Sequence, residues 1–137
     1  MILVDTPVWS FALRRRHTSL SATERHSTQL LQNLINQGRV QLLGAVRQEL
    51  LSGLREDSQF RRLRDYLRDF PDTAITTEDY EEAARSNNLC RRDGISASPI
   101  DMLLCAVAIR RDWEILTADK DFDHYQTVLR IRLLSGT

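Results

Sequence analysis

The sequence alternates short apolar runs with amphipathic helical patterns, and this alternation constrains the fold more than any other feature. Met1–Val4 is an apolar run, and the following Thr6 and Pro7 supply an N-cap residue and a proline at the first helical position. Val40–Leu43 forms a second run, after which a helix opens at Gly44. Strands that alternate with helices predict an α/β domain with a mostly parallel sheet and helices on both faces.

Capping residues and helix breakers divide the rest of the chain into further elements. Ser21 and Glu24 have capping-box spacing, and Gly38 ends the helix that they begin. The other predicted elements are a helix with the stripe Phe60, Leu63, Leu67 and Phe70, a third strand at Thr73–Thr76, a helix from the cap Thr77 to about Gly94, a helix from Ser98, a fourth strand at Glu114–Thr117 and a last strand at Arg130–Leu134.

Length and composition favour one ordinary globular domain over residues 1–137. The 137 residues are 42% hydrophobic and 28% charged, which is typical of a folded soluble domain. No apolar run reaches the ~18 residues of a membrane span, and the N-terminus lacks signal-peptide features, so we expect a cytoplasmic protein. Cys90 and Cys105 form neither a disulfide framework nor a zinc motif, and we interpret them as reduced packing residues.

The charge pattern limits how the protein could bind nucleic acid. The net charge is zero, so binding through bulk positive charge is excluded and any contact must be local. Lys120 is the single lysine among 19 basic residues, and an arginine excess either serves phosphate and carboxylate contacts or reflects genomic base composition. Arg14–Arg16 are candidate contacts for RNA or an acidic partner. The Arg61, Arg64 and Arg68 face is better explained by pairing with Asp65 and Asp69 at helical spacing.

Several acidic residues are predicted to converge at one edge of the sheet. Asp5 ends the first strand, and Asp119 and Asp121 follow the fourth. Asp101 lies in the first turn of its helix, and Glu49 lies in the second turn of the helix after strand two. In an open α/β sheet, ligands bind at the carboxyl ends of the strands, where loops and helix N-termini gather. Each acid alone has a simpler explanation: Asp5 could favour a helix N-terminus, Asp101 could complete a capping box, and the loop acids could be solvated.

Glu49 is the acid that a structural role explains least well. The apolar face that starts at Val46 continues through positions 49, 50, 53 and 54, which predicts a core-facing glutamate. An unpaired buried carboxylate is costly, and acids gathered without lysine or arginine repel one another. A divalent cation removes both difficulties, and Mg²⁺ prefers carboxylate oxygens together with substrate phosphate. The pattern therefore predicts a metal site.

Four segments, taken in order, carry a resemblance to a known family. They are Ile2–Trp9 (ILVDTPVW), Glu49–Gly53 (ELLSG), Pro99–Asp101 (PID) and Leu116–Phe122 (LTADKDF). Together they resemble the ordered motifs of the PIN-domain family, and most closely those of the VapC toxins of bacterial type II toxin–antitoxin pairs. The similarity covers essentially the whole chain.

The resemblance implies an α/β/α sandwich that works as a Mg²⁺-dependent endoribonuclease, with Mn²⁺ as a possible substitute. It implies an RNA substrate and inhibition by a cognate antitoxin, and we also expect a homodimer. Carried over position by position, the catalytic and metal-binding acids are Asp5, Glu49, Asp101 and Asp119. The supporting residues are Asp121, a frequent fifth acid, and the hydroxyl positions Thr6 and Thr117.

Three alternatives remain open at this point. A receiver-like regulatory Mg²⁺-binding module shares the acidic pocket, but it would need an acceptor aspartate at the end of strand three, where this chain has Ile75 and Thr76. A PIN protein that binds an antitoxin without cleaving RNA is possible, because sequence cannot show productive metal binding. A housekeeping PIN nuclease is the third. A phosphatase built on Asp-x-Asp is disfavoured because position 7 is proline.

Overall fold

Four short parallel strands form the centre of the protein. The computed structural model describes residues 1–13 and 19–134. The strands are β1 (Ile2–Val4), β2 (Val40–Gln41), β3 (Glu114–Leu116) and β4 (Arg132–Leu133). They lie in the order β2-β1-β3-β4, and each neighbouring pair is parallel. The predicted α/β class with a mostly parallel sheet is confirmed.

Seven helices within the described residues connect and cover the strands. They are α1 (Thr6–Leu13), α2 (Ala22–Asn36), α3 (Gly44–Ser52), α4 (Asp57–Leu67), α5 (Thr77–Arg92), α6 (Pro99–Arg111) and α7 (Asp121–Gln126). Helix α1 packs against α2 and α3, and α3 packs against α4, while α5 packs against α6. These two groups of helices and the sheet make a three-layer α/β/α sandwich.

The core is built around β1 and α6. Ile2, Leu3 and Val4 are completely buried, as expected for a strand with a neighbour on each edge and helices on each face. Helix α6 is buried nearly all around, since Met102 and the run Leu104–Ala108 are all within 1% of complete burial. The strand that leads into Asp5 and the helix that carries Asp101 are therefore both deeply buried in the core.

Helix starts follow the predicted capping residues closely. Ser21 and Glu24 form the predicted capping box of α2, and the Ser98 hydroxyl accepts a hydrogen bond from the Asp101 amide at the start of α6. Helix α5 begins at Thr77, so the N-cap is Thr76, one residue before the predicted cap. Its capping box is completed by Asp79.

The predicted third strand at Thr73–Thr76 is wrong. The chain makes one isolated parallel bridge there, between Leu42 and Asp72, and the Thr73 amide donates to the Leu42 carbonyl at 3.0 Å. Pairing stops because the segment must leave the sheet within three residues to let Thr76 cap α5. The sheet consequently has four strands in the described chain.

A partly buried ion-pair network joins α5 to the end of α6. The Asp79 side chain is fully buried, and it accepts from Arg110 Nε at 2.9 Å and from both terminal nitrogens of Arg111 at 3.0 and 2.9 Å. The Thr76 amide donates to its second oxygen. Hydrogen bonding to Arg111, the largest influence, lowers the pKa of Asp79. This acid is therefore a structural anion that two arginines neutralise.

Several smaller predictions can be compared with the structure. Cys90 and Cys105 are buried free thiols, as expected. Asp65 pairs with Arg64 and Arg68, which supports a salt-bridged, solvated face on α4. Arg14–Arg16 lie outside the described residues. Within the ranges that the structure describes, no helix has the length and apolar character needed to cross a membrane.

Candidate active site

The strand order creates a crevice beside β1. From β1 the chain adds β2 on one side and later β3 on the other, so the topology switches direction between β1 and β3. Val4 is in register with Leu116, and the Asp5 amide donates to the Leu116 carbonyl at 2.9 Å. The residues that follow these two strands are therefore adjacent at the carboxyl edge of the sheet, where a ligand is expected.

Asp5 lies at the bottom of this crevice and is held by neutral donors. Its side chain accepts from the Thr6 amide at 2.8 Å and from the Thr117 hydroxyl at 2.9 Å, and the residue is only 4% exposed. Burial raises the pKa of Asp5 to about 6, with smaller contributions from the negative charges of Asp101 and Asp119. Asp5 is thus a buried carboxylate whose described hydrogen-bond partners are all neutral.

Three further acids meet in front of the sheet edge. One carboxylate oxygen each from Asp101, Asp119 and Asp121 lie within 4.8 Å of one another. Asp101 and Asp119 are half-buried, and Asp121 is exposed. Three carboxylates this close favour a divalent cation, because their mutual repulsion is otherwise relieved only by protonation or solvent.

A series of hydrogen bonds positions Asp119 and Asp121 in the loop after β3. Thr117 accepts from the Asp119 amide at 3.0 Å while its hydroxyl donates to Asp5. The Asp119 carboxylate accepts in turn from the Asp121 amide at 2.9 Å. Thr117 therefore connects the buried acid of β1 to the acids of the loop, and the predicted supporting residues Thr117 and Asp121 lie within this arrangement.

Asp101 is oriented from two sides. Its amide donates to the Ser98 hydroxyl at 3.1 Å, and its Oδ2 accepts from the Tyr125 hydroxyl at 2.7 Å. Burial raises the pKa of Asp101, and the charges of Asp119 and Asp121 add to the effect. The capping role considered for Asp101 thus involves its amide, whereas its carboxylate faces the other acids.

Glu49 is exposed, so the prediction that it faces the core is wrong. The buried residues of α3 are Val46 and Leu50. At about 100° per residue, Glu49 lies roughly 80° from the middle of that face, at its border rather than on it. The helix starts directly after β2, at the same edge of the sheet, but no described contact joins Glu49 to the other acids.

Thr6 is half-buried at the start of α1, next to Asp5 in the chain. Its hydroxyl oxygen is buried and has no hydrogen-bond partner among the described residues. A buried hydroxyl without a partner is uncommon, and it is a candidate position for a ligand or a bound water.

The donor set fits a hard divalent cation. The ligands on offer are carboxylate oxygens, which suit Mg²⁺ or Mn²⁺ better than the softer metals that thiolates select. Within residues 1–13 and 19–134, neither Lys120 nor any arginine forms an ion pair with Asp5, Asp101, Asp119 or Asp121. The acids that converge here are thus not neutralised by any described cation.

The family model of the PIN domain matches residues 2–128. The chain belongs to the PIN-domain family. This membership excludes the receiver-like alternative, which the missing third strand had already weakened.

Comparisons with individual proteins agree with this assignment. The chain is 27% identical to the VapC ribonuclease Mb1587 of Mycobacterium bovis over 139 residues, which cover 98% of both chains. Its fold is similar to FitAcB of Neisseria gonorrhoeae, with a TM-score of 0.77 and 20% identity over 99% of this chain and 98% of the other. A toxin–antitoxin complex from Klebsiella pneumoniae matches with a TM-score of 0.64 and 19% identity over 89% and 90% of the two chains.

Sequence reasoning missed Tyr125, whose hydroxyl contacts a site acid. The available signal was helical spacing: Phe122 and Tyr125 are three residues apart, so a helix after Lys120 places both rings on one buried face. It also missed Asp79, which precedes the paired Arg110 and Arg111 by about thirty positions, a separation at which sequence gives no pairing signal.

Proposed function

We propose that this protein is a metal-dependent endoribonuclease that hydrolyses RNA phosphodiester bonds. The observation that carries the proposal is the meeting of Asp101, Asp119 and Asp121 oxygens within 4.8 Å at the carboxyl edge of a PIN fold. The ribonuclease named among the relatives supports the reaction class. We assign Mg²⁺ as the metal, with Mn²⁺ as a substitute, and residues 1–137 as one domain.

The residues of the site have separable tasks in this proposal. When bound, a divalent cation would activate a water molecule and neutralise charge on the scissile phosphate. Asp101 and Asp119 offer metal ligands, and Asp121 adds a third carboxylate. Asp5 supplies buried negative charge behind them, and Thr117 holds it in place. Glu49, also in the proposed set, would complete the site from α3.

Cleavage of RNA by single acid variants tests this proposal. Asp101→Asn and Asp119→Asn should each lower the cleavage rate on the order of 100-fold or more, because catalytic groups that act as a unit do not contribute additively. Asp123→Asn is the matched control, since it is an exposed acid of α7 outside the cluster. Chelation of the metal should abolish cleavage, and Mg²⁺ or Mn²⁺ should restore it.

Two results would contradict the proposal. One is cleavage at the wild-type rate by both Asp101→Asn and Asp119→Asn under saturating metal. The other is cleavage by wild-type protein that persists in a chelator. Glu49→Gln decides a narrower question, because wild-type activity in that variant removes Glu49 from the catalytic set and leaves the other acids in it.

We further propose that the nuclease is the toxin of a type II toxin–antitoxin pair, acts in the cytoplasm and forms a homodimer. Support comes from the toxin–antitoxin complex that shares the fold and from the VapC name of the relative. An unrestrained ribonuclease would damage its host, so a partner that places an arginine or lysine among the carboxylates would both exclude metal and block substrate.

Expression in bacteria tests this regulatory role. The wild-type chain alone should arrest growth, Asp101→Asn should not, and co-expression of a small neighbouring reading frame should restore growth. Harmless expression of folded, RNA-cleaving wild-type protein would instead identify a housekeeping PIN nuclease.

A further inference from the structure

One side-chain hydrogen bond links the two helices that surround the acid cluster. Tyr125, on α7, donates its hydroxyl to Asp101 Oδ2, on α6, at 2.7 Å. Asp119 and Asp121 lie in the loop after β3 and at the start of α7, so the bond connects the two chain segments whose acids must converge. No motif in the sequence assigned a role to this tyrosine.

The position of the Tyr125 hydroxyl is fixed by packing. Tyr125 is 1% exposed, and its ring contacts the fully buried Phe122 edge to face, with centroids 5.1 Å apart and an interplanar angle of 72°. A ring held this way has little rotational freedom, so its hydroxyl defines where the Asp101 carboxylate rests.

The bond matters because Asp101 faces like charges. With Asp119 and Asp121 oxygens within 4.8 Å, an Asp101 side chain free to rotate would turn away from them. The donated O–H offsets part of that repulsion at one oxygen. A carboxylate has about four lone-pair sites, so the remaining sites of Asp101 can still bind a cation.

We propose that Tyr125 is a positioning residue of the metal site, which holds Asp101 within reach of the cation shared with Asp119 and Asp121. The inference rests on the proposed function and deepens it. Tyr125 acts through Asp101 and touches neither substrate nor metal. Hydrogen-bond partners of metal ligands contribute about 10–100-fold to metal affinity in general.

The test is Mn²⁺ binding to metal-free protein, measured by calorimetry and by the electron paramagnetic resonance spectrum of bound Mn²⁺. Tyr125→Phe keeps the buried ring and removes only the hydroxyl, and it should weaken Mn²⁺ binding by about 10-fold or more. Tyr80→Phe is the matched control, because it makes the same change on an exposed tyrosine of α5 and should leave the affinity unchanged. Circular dichroism checks that both variants are folded.

A second measurement separates positioning from general damage to the fold. If Tyr125 serves only to hold a metal ligand, saturating Mn²⁺ should return the RNA-cleavage kcat of Tyr125→Phe to within about 3-fold of wild type. This difference is smaller than the loss of activity expected when a partner of a metal ligand is removed at limiting metal, about 10–100-fold. A kcat that stays 100-fold low at saturating metal, or equal Mn²⁺ affinity in Tyr125→Phe and wild type, would overturn the inference. Absence of Mn²⁺ binding to wild-type protein would instead overturn the metal site, and with it the proposed function.

Discussion

Asp5 and Asp79 are almost equally buried, yet their surroundings shift their pKa values in opposite directions. Asp5 is 4% exposed and Asp79 is 0% exposed. Asp79 is bonded by two arginines, which lower its pKa, whereas the described partners of Asp5 are a backbone amide and a threonine hydroxyl, and burial raises its pKa to about 6. The comparison teaches that the partner of a buried acid, rather than its burial, distinguishes a structural acid from a candidate metal-binding acid.

The largest expected effect is on Asp79. Asp79→Ala should lower the free energy of unfolding by about 4 kcal/mol, of which about 3 comes from leaving two arginines without their buried partner and about 1 from the lost cap of α5. Urea unfolding monitored by circular dichroism measures this loss. The structural role assigned to Asp79 would be contradicted if Asp79→Ala were as stable as wild type. It would also be contradicted if the folded variant lost its affinity for Mn²⁺.

The second effect has the opposite sign. In metal-free protein at pH 8, Asp5→Asn should raise the free energy of unfolding by about 3 kcal/mol, since ionised Asp5 has a folded pKa of about 6 against 3.8 for an unperturbed aspartate. The same variant should bind Mn²⁺ more weakly. Urea unfolding in a chelator measures the stability change. Loss of stability in Asp5→Asn would contradict the interpretation that the ionised Asp5 carboxylate destabilises the metal-free fold.

The difference in stability between Asp5→Asn and wild type should depend on pH, because ionisation of Asp5 and ionisation of Asp79 affect the folded state in opposite senses. A raised folded pKa means that ionisation of Asp5 disfavours the folded state, so the advantage of Asp5→Asn should be absent below about pH 4, grow up to about pH 6 and stay constant above it. Asp79 has a lowered pKa, so the stability that it provides should be present at neutral pH and lost as the pH falls below 3.8, the pKa of an unperturbed aspartate. Unfolding curves from pH 3 to 8 for the two variants and wild type measure both trends.

The smallest effect belongs to an exposed ion pair. Arg61 and Asp57 on α4 are 3.3 Å apart, with side chains 60% and 79% exposed. Arg61→Ala should change the free energy of unfolding by less than about 0.5 kcal/mol, because solvent and salt screen such pairs. A loss above 1 kcal/mol in urea unfolding would show that exposed pairs matter here as much as buried ones.

The sequence predicted the parts of the fold that depend on local patterns. The apolar run before Asp5, the capping box of α2 and the cap at Ser98 are local signals, and each element appeared as expected. Strand pairing at Thr73–Thr76 depends on the path that the chain takes to the start of α5, and local composition does not indicate that path. That is why a segment rich in strand-forming residues forms no strand, and the isolated bridge lies at the preceding Asp72.

The candidate site was predictable to a similar degree. The convergence of Asp101, Asp119 and Asp121 follows from the rule that loops after strands and helix N-termini gather at one edge of an α/β sheet. Glu49 was misplaced on its helix because it lies at the border of the buried face that Val46 and Leu50 define, and sequence spacing alone does not distinguish the border of such a face from its centre. The contact between Tyr125 and Asp101 joins residues 24 positions apart, and only the packed structure specifies it.

The central position of β1 also determines when the site can exist during synthesis. The bond between Asp5 and Thr117 spans 112 positions of the chain, and β1 lacks its neighbour β3 until residues 114–116 are available. Contacts this distant in sequence form late, since the intervening chain must first be closed into a loop. A ribosome-bound fragment that ends before β3 therefore carries Asp5 without the partners that complete its site, and the activity proposed for this protein requires that residues 114–121 have been synthesised.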